Sequence, residues 1–240
     1  MAKKKTYTAL AIDRLGKAAA GWLLFNALSD AFEASLAGFE IYLLSQSPAG
    51  SPLGPYGEFP GSNGIEMFTG LARLPVIVIL IVTGFIVLKW VYRANRNAHA
   101  FAKGLQSDPP WAVGWFFVPV AWLWKPFQGM SETWRVSHDP VRWKSKFPPD
   151  LLRVWWGCWI VGSLLGTMSS RISFMASDTT GVMTALGLEA LSSLVFIGAG
   201  LSMRRILQRV TARQTELMIA PPLTEEPVDP TQPWGAPAAV

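Results

Sequence analysis

Residues 74–92 read LPVIVILIVTGFIVLKWVY, with Lys89 as the only charge in the run. About 20 mostly apolar residues carry a helix across a bilayer, where each backbone polar group must find its partner inside the segment. Lys89 sits near one end and can extend its stem along the helix to reach water. The run therefore predicts a transmembrane helix. Composition agrees: 50% of the 240 residues are hydrophobic, 15% are charged, and the mean hydropathy is +0.28. A soluble domain carries charge nearer a quarter of its residues.

Working outward, residues 154–170 form an uncharged run, and residues 182–203 form another interrupted only by Glu189. Residues 18–44 are apolar up to Ser29 and then carry Asp30, Glu33 and Glu40. Lys3, Lys4 and Lys5 ahead of residues 18–28 resemble a secretory signal. No small-x-small cleavage site follows, because Phe32 stands at the minus-three position before Ala34. The first helix is therefore expected to be retained. The predicted fold is an all-α integral membrane protein of four transmembrane helices.

Lys and Arg fix the orientation. Under four spans, 19 of the 21 basic residues fall on one side, and only Arg73 and Arg171 fall on the other. Both termini are then cytoplasmic. The net charge of +5 describes this asymmetry and weakens a nucleic-acid reading. Residues 111–124 (WAVGWFFVPVAWLW) are apolar but short and contain Pro119. They suit an interfacial or re-entrant element between the second and third spans.

The division that follows is a basic N-terminus over 1–17, a membrane domain over 18–204, a helix extension over 205–220 and a disordered Pro-rich tail over 221–240. Within the membrane domain lie an extracytoplasmic Pro/Gly loop over 45–70 and a cytoplasmic Trp-rich segment over 93–150. Cys158 alone excludes a disulfide framework, and it reads as packing. His99 and His138 both fall in the cytoplasmic segment and read as surface residues. No phosphate-binding loop, G-x-S-x-G or H-E-x-x-H is present. No enzyme activity, metal or cofactor is expected.

Three stretches are more specific than hydropathy: WVYRANRN (90–97), PWAVG (110–114) and FVPVAWLWKPFQGMSETWR (117–135). With Trp155 and Trp156 they resemble the bacterial membrane family called domain of unknown function 4328. The resemblance spans roughly residues 18–209. It departs at Trp122, where the family pattern carries Asn. It implies a multi-pass membrane fold and no particular activity.

Two constellations are candidate sites. Asn26, Asp30, Glu33 and Glu40 share one helix face, and Glu189 lies about 10 Å inside the last helix by helical rise. Arg73 and Arg171 are the available counter-charges. Intramembrane carboxylates mark a polar site for a proton, cation or small ligand. The simpler reading places Asp30 and Glu33 at the outer interface, paired with Arg73 or Arg171. The second constellation is Trp90, Tyr92, Arg93, Arg96, Asn97, Trp111, Trp115, Glu132, Trp134 and Arg135. Read functionally, it binds anionic lipid headgroups, a phosphorylated ligand or a protein partner. Read simply, it is an aromatic belt with positive-inside charge, and Glu132 pairs with Arg93 or Arg135. Gly162 and Gly166 form a G-x-x-x-G usable within the chain or between copies.

Overall fold

A computed structural model describes residues 6–54 and 64–220. Lys3, Lys4, Lys5, the centre of the 45–70 loop and the tail 221–240 lie outside the described residues. Six α-helices follow in order: α1 (Asp13–Leu44), α2 (Ile65–Phe101), α3 (Pro109–Gly114), α4 (Lys125–His138), α5 (Asp150–Met175) and α6 (Thr179–Ile219). Among the described residues there is no strand, only an isolated bridge between Pro52 and Asp178.

Among the described residues, three helices are long and apolar enough to cross a membrane: Met67–Phe101 of α2, together with α5 and α6. They are compatible with a membrane protein. α2 shows why. Its side chains Leu74, Ile77, Val78, Leu80, Ile81 and Phe85 are all exposed, which water would disfavour by about 25 cal/mol per Å² of apolar surface.

α1 begins at Asp13, five residues before the apolar run of the sequence, with Lys17 paired to Asp13 across one turn (2.9 Å). It turns Phe25, Leu28, Phe32, Phe39 and Tyr42 outward and packs along α6 and α2. Its acidic residues escape the apolar face by turning toward the bundle.

α5 and α6 pack along their length. A Cβ on Gly162 would lie 3.1 Å from the Phe196 ring, and one on Gly166 would lie 3.3 Å from Ser192 Oγ. Ser192 donates to the Gly162 carbonyl (2.9 Å), and Ser169 donates to that of Ala185 (2.8 Å). The glycine face is therefore filled by α6 of the same chain, the first of its two expected uses. α1 and α6 pack tightly at Gly16, where a Cβ would meet Thr211 Oγ1 at 2.5 Å.

At one end the segment after α1 is stitched to the α5–α6 turn: Thr179 N–H donates to Ser51 O (2.9 Å) and Leu53 N–H to Ser177 O (3.2 Å). At the other, basic end, residues 109–145 form a cap of α3, two short 3-10 turns, α4 and a third turn at Trp143–Ser145. The largest apolar cluster lies there, built on Trp90, Met130, Trp134, Leu152, Trp155 and Ile206.

Candidate functional site

α2 leaves the apolar zone at Trp90, and from there its polar residues turn inward. Trp90 is 0% exposed, and its indole N–H donates to Thr211 Oγ1 at 3.0 Å. Asn97 is equally buried. Its Oδ1 accepts from Leu10 N–H (2.8 Å), while its Nδ2 donates to Leu10 O (2.9 Å) and to Gln214 Oε1 (3.1 Å). Gln214 Nε2 donates in turn to Ala94 O (2.9 Å) and Ser137 Oγ (3.0 Å). One turn away, Asn95 Nδ2 donates to Thr133 Oγ1 at 3.3 Å. This network joins α2, α4, α6 and residues 6–12. The buried amides of Asn97 and Gln214 are tolerated because their hydrogen bonds are made inside the protein, whereas Asn95 Oδ1 is buried without a partner.

Arg93 donates to Ala11 O (2.8 Å), and Arg96 donates to Thr8 O (3.4 Å). Both guanidinium groups hold main chain of the N-terminal segment. Asn97 is no surface donor, which corrects the headgroup reading at this residue: its partners are the Leu10 peptide groups and the Gln214 side chain. Tyr92 points outward.

Glu132 is buried and pairs with neither Arg93 nor Arg135. Its Oε2 accepts from Gln106 N–H (3.1 Å), bracing the linker after α2. Arg135 lies over the Trp143 ring, with Cζ 5.2 Å from its centroid. Trp134 is buried and stacks on His138 at 4.1 Å. The stack screens the His138 ring from water and lowers its pKa, an effect reinforced by Arg213 and Arg209. The aromatic belt is corrected in the same way. Trp90, Trp134, Trp143, Trp155 and Trp156 are buried core, because the cap covers them.

The rings that do face outward lie in and after α3. Trp111 is 50% exposed, and Phe117, Val120, Leu123 and Trp124 are exposed beside it. Trp111 and Trp115 pair at 4.5 Å, with Lys125 Nζ 5.7 Å from the Trp115 ring. Trp156 Nε1 donates to Leu123 O (2.9 Å), which sets this patch level with the start of the apolar face of α5. Val120 has φ +67° and ψ −50°, and Ala121 N–H donates to Pro119 O (2.8 Å). A γ-turn at a β-branched residue stores about 1–3 kcal/mol. It turns the chain between exposed Phe117 and exposed Leu123 and Trp124.

The carboxylates gather near the opposite end. Arg73 donates from Nη1 to Glu40 Oε1 (3.0 Å) and from Nη2 to Oε2 (2.8 Å). Its Nε lies 3.4 Å from Glu33 and 3.6 Å from Glu189. Three acids from α1 and α6 thus converge on one guanidinium of α2, and Glu33 Oε2 is buried without a hydrogen-bond donor. Asp30 stands apart, accepting from Asn26 Nδ2 at 3.0 Å. Arg171 is exposed and makes no ion pair among the described residues.

Neither the segment-binding role of the α2 end nor the Gln214 hub was singled out by the sequence. Backbone acceptors leave no mark in a residue string. The family model for a domain of unknown function (DUF4328) matches residues 61–212, from the start of α2 through most of α6, and the chain belongs to that family. No curated protein and no solved structure matches it.

Proposed function

From that family membership as premise, we propose a non-enzymatic membrane protein of the bacterial inner membrane that binds anionic lipid headgroups through its Trp-rich segment. Four helices cross, with α1 the fourth, and both termini are cytoplasmic. Support for α1 comes from its outward apolar stripe and its inward, paired acids. Support for the orientation comes from the concentration of Lys and Arg at the basic end.

One observation carries the lipid reading: Trp111, Phe117, Val120, Leu123 and Trp124 are exposed in the stretch that leads to Lys125, and Leu123 O in that stretch is bonded to Trp156 of α5. Indole rings favour the headgroup zone, and an adjacent cation attracts anionic lipid. The test reconstitutes the chain in mixed phosphatidylglycerol and phosphatidylcholine bilayers, with a nitroxide on Val120→Cys in a Cys158→Ala background. The label is expected to be relaxed by oxygen and shielded from a water-soluble nickel chelate. Lys125→Gln should lower the bound phosphatidylglycerol about fivefold, at about 1 kcal/mol per cation near the surface. A nickel-accessible label sinks the reading.

A transport role through Asp30, Glu33 and Glu189 has in its favour the buried Glu33 Oε2, which accepts no hydrogen bond. Against it, Arg73 already occupies the centre where a cation would sit.

A further inference from the structure

We infer that the basic end of α2 and α6 is a binding site for an extended polypeptide, closed in cis by residues 6–12 of this chain. From end to end the partners fall back along α2: Tyr7 stands beside His99, Thr8 O takes Arg96, Leu10 takes Asn97, and Ala11 O takes Arg93. The segment therefore lies antiparallel to the last turns of the helix. Asn97 engages the N–H and C=O of the same residue, and an extended residue is the kind that presents both to one side.

The order of groups read by the site identifies the ligand class. Arg96, Asn97 Nδ2 and Arg93 require acceptors, but Asn97 Oδ1, between them, requires a donor. Main chain supplies that alternation. The phosphodiester of a lipid headgroup supplies acceptors alone and would leave the buried Oδ1 without its donor. Recognition through main-chain groups is largely independent of side chains. Here Thr8 and Ala11 face outward, while Ile12 is buried and Tyr7 lies 5.3 Å from the His99 ring.

The floor of the site stands without the segment. Gln214 is held by Ala94 O and Ser137 Oγ, and it in turn holds Asn97 Nδ2. The segment has less to hold it by itself: among the described residues, no backbone–backbone hydrogen bond involves residues 6–11. A preformed receptor closed by a strand with no ladder of its own is a site open to exchange. A second extended peptide competes with the cis segment for it.

The experiment uses the full chain in detergent, with a nitroxide on exposed Thr8→Cys and Cys158→Ala. The segment should be immobilised. Adding a peptide of residues 1–13 should release the label saturably. The same peptide N-methylated at Leu10, which loses the donor to Asn97, should be weaker by at least about tenfold. Asn97→Ala should free the label without peptide while the helical circular dichroism is kept. If that variant unfolds, Arg93→Gln, at a less buried position, should raise the mobile fraction severalfold. The inference is overturned if the peptide never releases the label, or if the N-methylated peptide is equally potent. It is also overturned if phosphatidylglycerol alone frees the segment as fully, which would assign the site to headgroups. The Val120 depth measurement is separate, so either idea can fail alone.

Discussion

Arg73 shows how one residue can organise three helices. Its fork is met bidentately by Glu40, and its remaining edge is shared by Glu33 and Glu189. Glu40 has 4% of its side chain exposed and Arg73 has 25%, so water screens the pair only in part. Removing one member of a buried pair leaves an uncompensated charge and costs about 3–5 kcal/mol. Arg73→Gln is expected near the lower limit, about 3 kcal/mol by that principle, because the guanidinium is partly wet. Arg73→Met combined with Glu40→Gln should be milder than Arg73→Gln alone, measured by thermal unfolding in detergent. A single variant no less stable than the natural chain would show that the cluster is not a staple. The shared face of Asn26, Asp30, Glu33 and Glu40 was legible from helical spacing. The choice of Arg73 over Arg171 was not, because it depends on which helices become neighbours.

At the scale of elements, α1 meets α6 where Gly16 has no side chain and Thr211 takes the indole hydrogen bond of Trp90. Gly16→Ala must push Thr211 aside. An overpacked contact of this kind costs about 1–3 kcal/mol. The melting temperature should fall, and Thr211→Ala should restore packing at the expense of the Trp90 bond. Restoration to the natural value would deny that bond a share in stability. The long apolar helices were legible because an uninterrupted run such as 74–92 has few alternatives. The start of α1 was missed by five residues, since its first turn is polar and closed by a Lys17–Asp13 pair. α4 was read only as part of a loop segment. Its buried Ser131, Thr133 and Ser137 resemble surface residues until α2 and α6 are placed over them. Nor does a Trp-rich composition distinguish an interfacial ring from a buried one.

For the whole molecule, the four-span reading makes a claim that no single helix makes. Gln46→Cys in a Cys158→Ala chain should react with an impermeant maleimide on intact cells, and a reporter fused after Val240 should read cytoplasmic. A reporter read outside would remove α1 or another helix from the membrane. α6 adds a mechanical consequence. It is one unbroken helix of 41 residues, about 60 Å long at 1.5 Å per residue. It carries Glu189 in the ion cluster and Gln214 under the N-terminal segment, roughly 37 Å apart by the same rise. A rod pivoting at Glu189 by about 5° carries its far side chain about 3 Å, comparable to a whole hydrogen bond. A change of tilt at the ion cluster would therefore reach the Gln214 amides along one continuous rod.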